Sequence, residues 1–165
     1  MQLAAFNALP APEAGDLVRS CARIPSFVTA LTEGRPYPGM GELLATARDA
    51  AAAWTDDEVA AALADHPRIG ERPTGAGASA AMSGREQAGV DPADEELRRR
   101  LADGNRRYEE RFGRIYLVRA AGRTGAELLD LLEQRLTHDP VTELAVTRGQ
   151  LAEIALLRLE GQIAQ

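Results

Sequence analysis

The chain has 165 residues, a formal net charge of −6 and one cysteine, Cys21. That length most simply makes one domain with a real core, spanning 1–165, and the acidic surplus argues against nonspecific nucleic-acid binding. All 19 basic residues are arginines, which excludes a lysine Schiff base, and with it ordinary pyridoxal-phosphate chemistry, and also a Walker-type phosphate loop.

The predicted elements are helices almost throughout. Residues 1–12 read as a short helix or turn around Leu3, Phe6 and Leu9. Residues 13–33 place Leu17, Val18, Cys21, Ile24, Phe27, Val28 and Leu31 at helical spacing, interrupted by Pro25. GRPYPGM (34–40) is a loop, and 41–53 form a helix with Leu43, Leu44 and Ala47 inward. Thr55-Asp-Asp-Glu58 has the spacing of a capping box. It opens a helix that ends at His66, because Pro67 follows. Gly70, Pro73, Gly75 and Gly77 make 69–81 a loop.

Ser83-Gly-Arg-Glu86 repeats the capping-box spacing. It predicts a helix start with Glu86 in the first turn, where the helix dipole favours a carboxylate. Asp91-Pro92 opens the next helix, with a stripe of Leu97, Leu101, Tyr108 and Phe112 and a stop at Gly113. IYLV (115–118) is the one strand-like run; a single short run makes no sheet, so it reads as a buried extended connection. Thr124-Gly-Ala-Glu127 caps a helix through about Leu136, and Asp139-Pro140 opens the last, through about Ile163. The fold class is all-α, a single compact domain of about seven or eight helices.

A lone cysteine excludes an internal disulfide and a cysteine-based zinc site, and fits a reducing cytoplasm. MQLAAFNALPAPEAGD lacks the basic stretch and long apolar run of a signal peptide, and GQIAQ is not a peroxisomal address. No segment approaches a membrane span. The expected location is cytoplasmic, with no membrane and no nucleic acid among the partners.

Few side chains could carry chemistry. His66, one of two histidines, stands at a helix exit before a proline. It can cap the last carbonyls of the helix, or act as a general acid or base, since an ordinary imidazole titrates near neutral pH. Glu86, in SGREQAG (83–89), reads as a capping carboxylate unless the fold brings it to His66. Arg158 falls between Leu151 and Ile154 on a helical wheel, within the apolar face. A guanidinium there is costly unless paired. It either pairs internally with a glutamate or forks onto a carboxylate or imide oxygen of a ligand. His138, in THDP, reads as a cap or helix-end cation, Cys21 as a small core residue and Arg98–Arg100 as a solvated face. The histidines show no His-x-x-x-His spacing, so no metal site is expected.

HPRIG (66–70), SGREQAG (83–89), NRRYEERFG (105–113) and TRGQLAEIALLRLE (147–160) follow one another in the chain, with FNALP (6–10) before them and a block from Gly122 through Leu136 between. Together they resemble the family of 2-oxo-4-hydroxy-4-carboxy-5-ureidoimidazoline (OHCU) decarboxylases, over nearly the whole chain. The combination is specific; each motif alone is weak. The resemblance implies an all-helical OHCU decarboxylase-like fold with no cofactor and a small-molecule substrate. That substrate, OHCU, arises late in urate breakdown and is converted to (S)-allantoin and carbon dioxide. Homodimers are common in the family.

By motif match, the resemblance implies that His66 is catalytic and Glu86 its acidic partner. Pro67, Ser83, Gln87 and Arg158 match substrate-binding positions. Leu117, Val118, Arg119, Ala120 and Ala121 match a stretch whose backbone meets the substrate. One region departs from the pattern. Where the family usually has Trp-Ala-x-x-Met, this chain reads ARIPSFVTAL (22–31), a difference expected to bear on one pocket wall or the dimer contact.

Two other readings stay open. One is a non-catalytic helical module that holds a purine breakdown product or a partner enzyme. The other is a metal-dependent hydrolase using His66, His138 and carboxylates. The intact set of His66, Glu86 and Arg158 favours the decarboxylase over the module.

Overall fold

Alanine- and leucine-rich runs broken by proline, glycine and cap residues dictate short helices joined by turns. The computed structural model describes residues 1–64, 66–71 and 78–164, and among these residues it contains nine helices. They are α1 (Leu3–Ala8), α2 (Ala11–Cys21), α3 (Pro25–Glu33), α4 (Met40–Ala52), α5 (Asp56–Leu63), α6 (Ala78–Glu86), α7 (Glu95–Phe112), α8 (Gly125–Arg135) and α9 (Pro140–Gln162). Extended pairing among the described residues amounts to one parallel bridge, Gln2 to Ala164. The all-α expectation is met, with one helix more than the expected range. None of the described helices is long and apolar enough to cross a membrane.

The chain forms two units, one of Met1–Ala62 with the residues from Ala152 onward, the other of Leu63–Leu151. In the first, the apolar stretch 13–33 divides at Pro25. The proline takes the first position of α3, where its missing N–H costs nothing. Helix α2 packs on α3, and α3 on α4. Phe6, Val18, Phe27, Leu31 and Leu43 have no exposed surface. Phe27 meets Trp54 edge-on, with ring centroids 5.4 Å apart, so the departure from the family's pattern falls on a core side chain of this unit. FNALP also finds a local reason: Asn7 Nδ2 donates to the Tyr37 carbonyl at 2.8 Å and Asn7 Oδ1 accepts from the Tyr37 amide at 2.9 Å. The Thr55 capping box forms as expected, with the Thr55 amide 2.9 Å from Glu58 Oε2 and the Glu58 amide 3.2 Å from Thr55 Oγ1.

In the second unit α7 packs on α8, around a core that includes Leu101, Tyr108, Tyr116, Val118, Leu128 and Leu132. Residues 115–118 take no regular secondary structure, and Tyr116, Leu117 and Val118 are buried, as the sequence predicts of a buried connection. The Thr124 capping box is present, and Asp139 Oδ1 caps α9 by accepting from Val141 and Thr142 at 3.0 Å each. Gly113 ends α7 at φ +69°, a conformation open to glycine at little cost.

Three boundaries differ from the sequence reading. The last regular residue of α5 is Leu63, three before His66. Helix α7 starts at Glu95 under an Asp94 cap, because Asp91 closes a separate turn by accepting from the Ala93 amide at 2.8 Å. The largest correction is at α6. Of the predicted loop 69–81, residues 72–77 lie outside the described residues, and 78–81 are helical. Helix α6 begins at Ala78, so Ser83 lies inside it and Glu86 is its last residue, not part of a first turn. The alanines of ASAAM favour helix over any cap, and serine and glutamate three apart fit a helix interior as well as a capping box.

Candidate active site

His66 leaves α5 through a bend, its amide donating to the Leu63 carbonyl at 3.1 Å. The turn that follows is bound from two elements. Gln87, just past the end of α6, accepts from the Gly70 amide at 2.9 Å and donates to the Arg68 carbonyl at 3.3 Å. From α7, Asn105 Nδ2 donates to the Ile69 carbonyl at 2.9 Å. Glu109, one turn further on, takes the Arg68 guanidinium at two points, 2.5 and 3.0 Å. HPRIG, SGREQAG and NRRYEERFG, far apart in the chain, are therefore joined directly.

Ser83 is buried at 2 % exposure, while Glu86 is half-buried at the last residue of α6. Gly89 then passes close to another backbone. A Cβ there would lie 2.0 Å from the Arg123 carbonyl oxygen, and the Gly89 carbonyl accepts from the Gly125 amide at 3.1 Å. Only glycine allows this approach. It docks the end of α6 onto the end of the connection that carries 117–121.

That connection is held in place by side chains. Arg135 Nη1 donates to the Leu117 carbonyl at 2.5 Å, and Gln150 Oε1 accepts from the Arg119 amide at 2.9 Å. The Arg119 guanidinium turns back to the Ala121 carbonyl at 2.8 Å. His66, Pro67, Ser83, Glu86, Gln87 and residues 117–121 thus all belong to the second unit, on elements that touch one another. A cavity of about 610 Å³ opens beside the α6 end, walled in part by Gly70, Gly84, Gln87, Val90 and Arg98. Of the expected site residues described here, Gln87 alone lines it. Arg158 lies in the part of α9 that belongs to the first unit and is 5 % exposed, as its place on the wheel predicts.

Arg135 and Glu143 escaped the sequence reading. Both are buried, with Arg135 Nη2 2.5 Å from Glu143 Oε1. Tyr108 Oη donates to the same oxygen at 2.5 Å, and His138 Nδ1 lies 2.9 Å from Glu143 Oε2. Arg135 also stands over the Tyr116 ring, 4.9 Å from its centroid. Burial by itself pushes the Glu143 carboxyl up, but hydrogen bonds from Arg135 and Tyr108, with the Arg135 charge, outweigh it and hold the group below its ordinary value. The signal in the sequence was positional: Arg135 falls at i+7 from Leu128 and i+3 from Leu132, on the apolar stripe of α8. His138 serves this pair at the α8–α9 junction, its ring meeting the Glu143 carboxylate rather than capping helix carbonyls. Cys21 is a buried core residue, and Arg98–Arg100 are exposed. Among the described residues, no three His, Cys, Asp or Glu side chains gather in a metal-binding group.

The sequence profile of the OHCU decarboxylase family matches residues 7–160. The chain belongs to the OHCU decarboxylase family. A mouse (Mus musculus) relative, 2-oxo-4-hydroxy-4-carboxy-5-ureidoimidazoline decarboxylase, is 31% identical over 147 residues, 88% of this chain and 81% of that protein. The uric acid degradation bifunctional protein TTL of Arabidopsis thaliana is 37% identical over 59 residues, which are 36% of this chain and 18% of that longer protein. The fold is similar to that of an OHCU decarboxylase crystallised in the presence of (S)-allantoin, with a TM-score of 0.73 and 26% identity over 87% of this chain and 94% of the other. An (S)-allantoin synthase shares the fold at a TM-score of 0.73 and 18% identity, over 99% of this chain and 54% of that one.

Proposed function

We infer that this protein decarboxylates OHCU to (S)-allantoin and carbon dioxide, without a cofactor, at the end of the conversion of urate to allantoin. One observation carries the reading beyond family membership. The turn bearing His66, the helix end bearing Glu86 and Gln87, and the connection 117–121 form one contiguous structure in the second unit.

Loss of carbon dioxide leaves an electron pair that needs an acceptor, the task for which many enzymes bind a cofactor. OHCU carries its own acceptor, because the carbon that loses the carboxylate adjoins a ring C=N bond. As the C–C bond breaks, its pair forms a ring C=C bond and displaces the C=N pair onto nitrogen. The protein then has to orient the carboxylate, move protons and cover one face of the intermediate. In this reading His66, polarised by Glu86, takes the proton of the ring hydroxyl as carbon dioxide leaves. It then returns that proton, directly or through a water, to one face of the neighbouring ureido-bearing carbon, while the hydroxyl oxygen becomes the ring carbonyl and the ring nitrogen takes a second proton from solvent. Ser83, Gln87 and the backbone of Leu117, Val118, Arg119, Ala120 and Ala121 hold the ring oxygens and the developing charge, with Pro67 as part of the wall. By its match to the family's motif, Arg158 is assigned to the substrate as well. We place the enzyme in the cytoplasm as a homodimer, which sedimentation of the purified protein tests.

The deciding experiment generates OHCU in place from urate with the two upstream enzymes, adds this protein and follows circular dichroism of the product. A fast signal of one hand, absent with His66→Ala, supports the assignment. A signal no different from spontaneous decay overturns it. Thermal stabilisation by allantoin without turnover would then mark a binding module.

A further inference from the structure

We propose that Asn105 is a positioning residue for His66, holding the HPRIG turn through the Ile69 carbonyl, with Glu109 acting on the same turn through Arg68. The inference rests on the decarboxylase reading, in which His66 moves the proton. Three consecutive backbone groups of the turn, the Arg68 carbonyl, the Ile69 carbonyl and the Gly70 amide, are each bound by a side-chain amide. Two of these bonds come from Gln87, already assigned to the substrate. The third comes from Asn105, whose element, α7, carries none of the expected site residues.

A purely structural role accounts poorly for Asn105. It is 3 % exposed, and its Oδ1 is buried with no hydrogen-bond partner. An unpaired buried acceptor costs at least as much as one ordinary hydrogen bond contributes. That orphaned oxygen is a stability cost, and the amide that carries it fixes the backbone three residues from His66. Departures from local packing rules of this kind concentrate where function needs geometry. Glu109 supports the same turn from the next helical turn of α7, so two side chains on one rigid helix set the place of the loop. An imidazole that transfers protons must sit within a fraction of an ångström of its partner, and α7 supplies that constraint from outside the substrate shell.

The test compares Asn105→Ala and Glu109→Gln with wild type and His66→Ala in the circular-dichroism assay, with the folded fraction taken from thermal melts. In Asn105→Ala, kcat per folded molecule is expected to fall about tenfold to a hundredfold while KM stays within about twofold, because the imidazole is displaced and the substrate contacts are not. Glu109→Gln is expected to show the same signature with a fall of roughly fivefold. A kcat for Asn105→Ala within about twofold of wild type, or a loss carried by KM alone, overturns the proposal and leaves the decarboxylase reading standing. Should Asn105→Ala fail to fold, an unchanged kcat in Glu109→Gln overturns it instead. An inactive wild type, or a fully active His66→Ala, removes the decarboxylase reading and this proposal with it.

Discussion

His66 is carried by a turn whose backbone bonds at Arg68, Ile69 and Gly70 do not involve its ring. Removing the imidazole leaves those bonds in place. His66→Ala is therefore expected to keep the wild-type far-ultraviolet spectrum while turnover falls about 10² to 10⁴-fold, the range for losing a general acid–base. Arg158 is buried on α9. Arg158→Ala is expected to raise KM by roughly tenfold or more, as loss of a charge-assisted contact does, with a smaller effect on the melting temperature; steady-state kinetics beside a thermal melt checks both. The Arg135–Glu143 pair makes a different prediction. Glu143→Gln leaves the Arg135 charge buried without its counter-charge, at a cost of about 3 to 5 kcal/mol at pH 7 by urea unfolding. The Glu143 carboxyl is held below its ordinary value, so its contribution is complete above about pH 4.3 and fades as pH falls through the lowered folded-state value. The gap between variant and wild type should therefore narrow in acid. His66 and Arg158 were both legible, one as a lone titrating group before a proline, the other as a charge on an apolar stripe. Arg135 sits on a stripe in the same way, but nothing local showed that its partner would be Glu143, on a different helix.

Among the elements, the capped starts at Thr55, Thr124 and Asp139 were what short-range rules described best. Thr124 accepts from the Glu127 amide at 3.2 Å while Glu127 Oε2 accepts from the Thr124 amide at 2.7 Å. Thr124→Ala should accordingly lower stability by about 1 kcal/mol, read from a urea titration. The same rules misplaced α6, because a Ser-x-x-Glu spacing looks alike at a helix start and inside a helix. What settles the matter is the alanine-rich run upstream and the burial of Ser83. Gly89, three residues past the end of α6, has a function that its sequence neighbours do not disclose. With a Cβ placed 2.0 Å from the Arg123 carbonyl, Gly89→Ala must push α6 away from the 122–125 turn. It is expected to lose about 1 to 3 kcal/mol and several degrees of melting temperature, and to impair turnover through the displaced Glu86 and Gln87.

For the chain as a whole, α9 is the element to follow. It runs unbroken from Pro140 to Gln162, and the boundary between the two units falls within it, after Leu151. A continuous helix shared by two units is a reason for them to unfold together, as one domain. Trp54, the only tryptophan, lies in the first unit and is 2 % exposed. Its fluorescence reports on that unit, while far-ultraviolet circular dichroism averages over every helix. The two melting curves are expected to coincide; separate midpoints would mean two domains.

The sequence alone determined the all-α class, the capped starts of α5, α8 and α9, the glycine stop of α7 and the buried connection before α8. It also carried the motifs by which the family is recognised. Each of these rests on contacts between residues a few positions apart, or on a pattern of side chains along one helix. Only the tertiary structure decided that Asn105 would hold Ile69 from 36 residues away, that Glu109 would hold Arg68 from 41, and that Gly89 would have to be bare for Arg123 to approach. An amide or a carboxylate carries no mark of its distant partner. Which one it meets depends on how α7 and the end of α6 pack about the turn, and that packing is set by burial summed over the whole core rather than by any local preference.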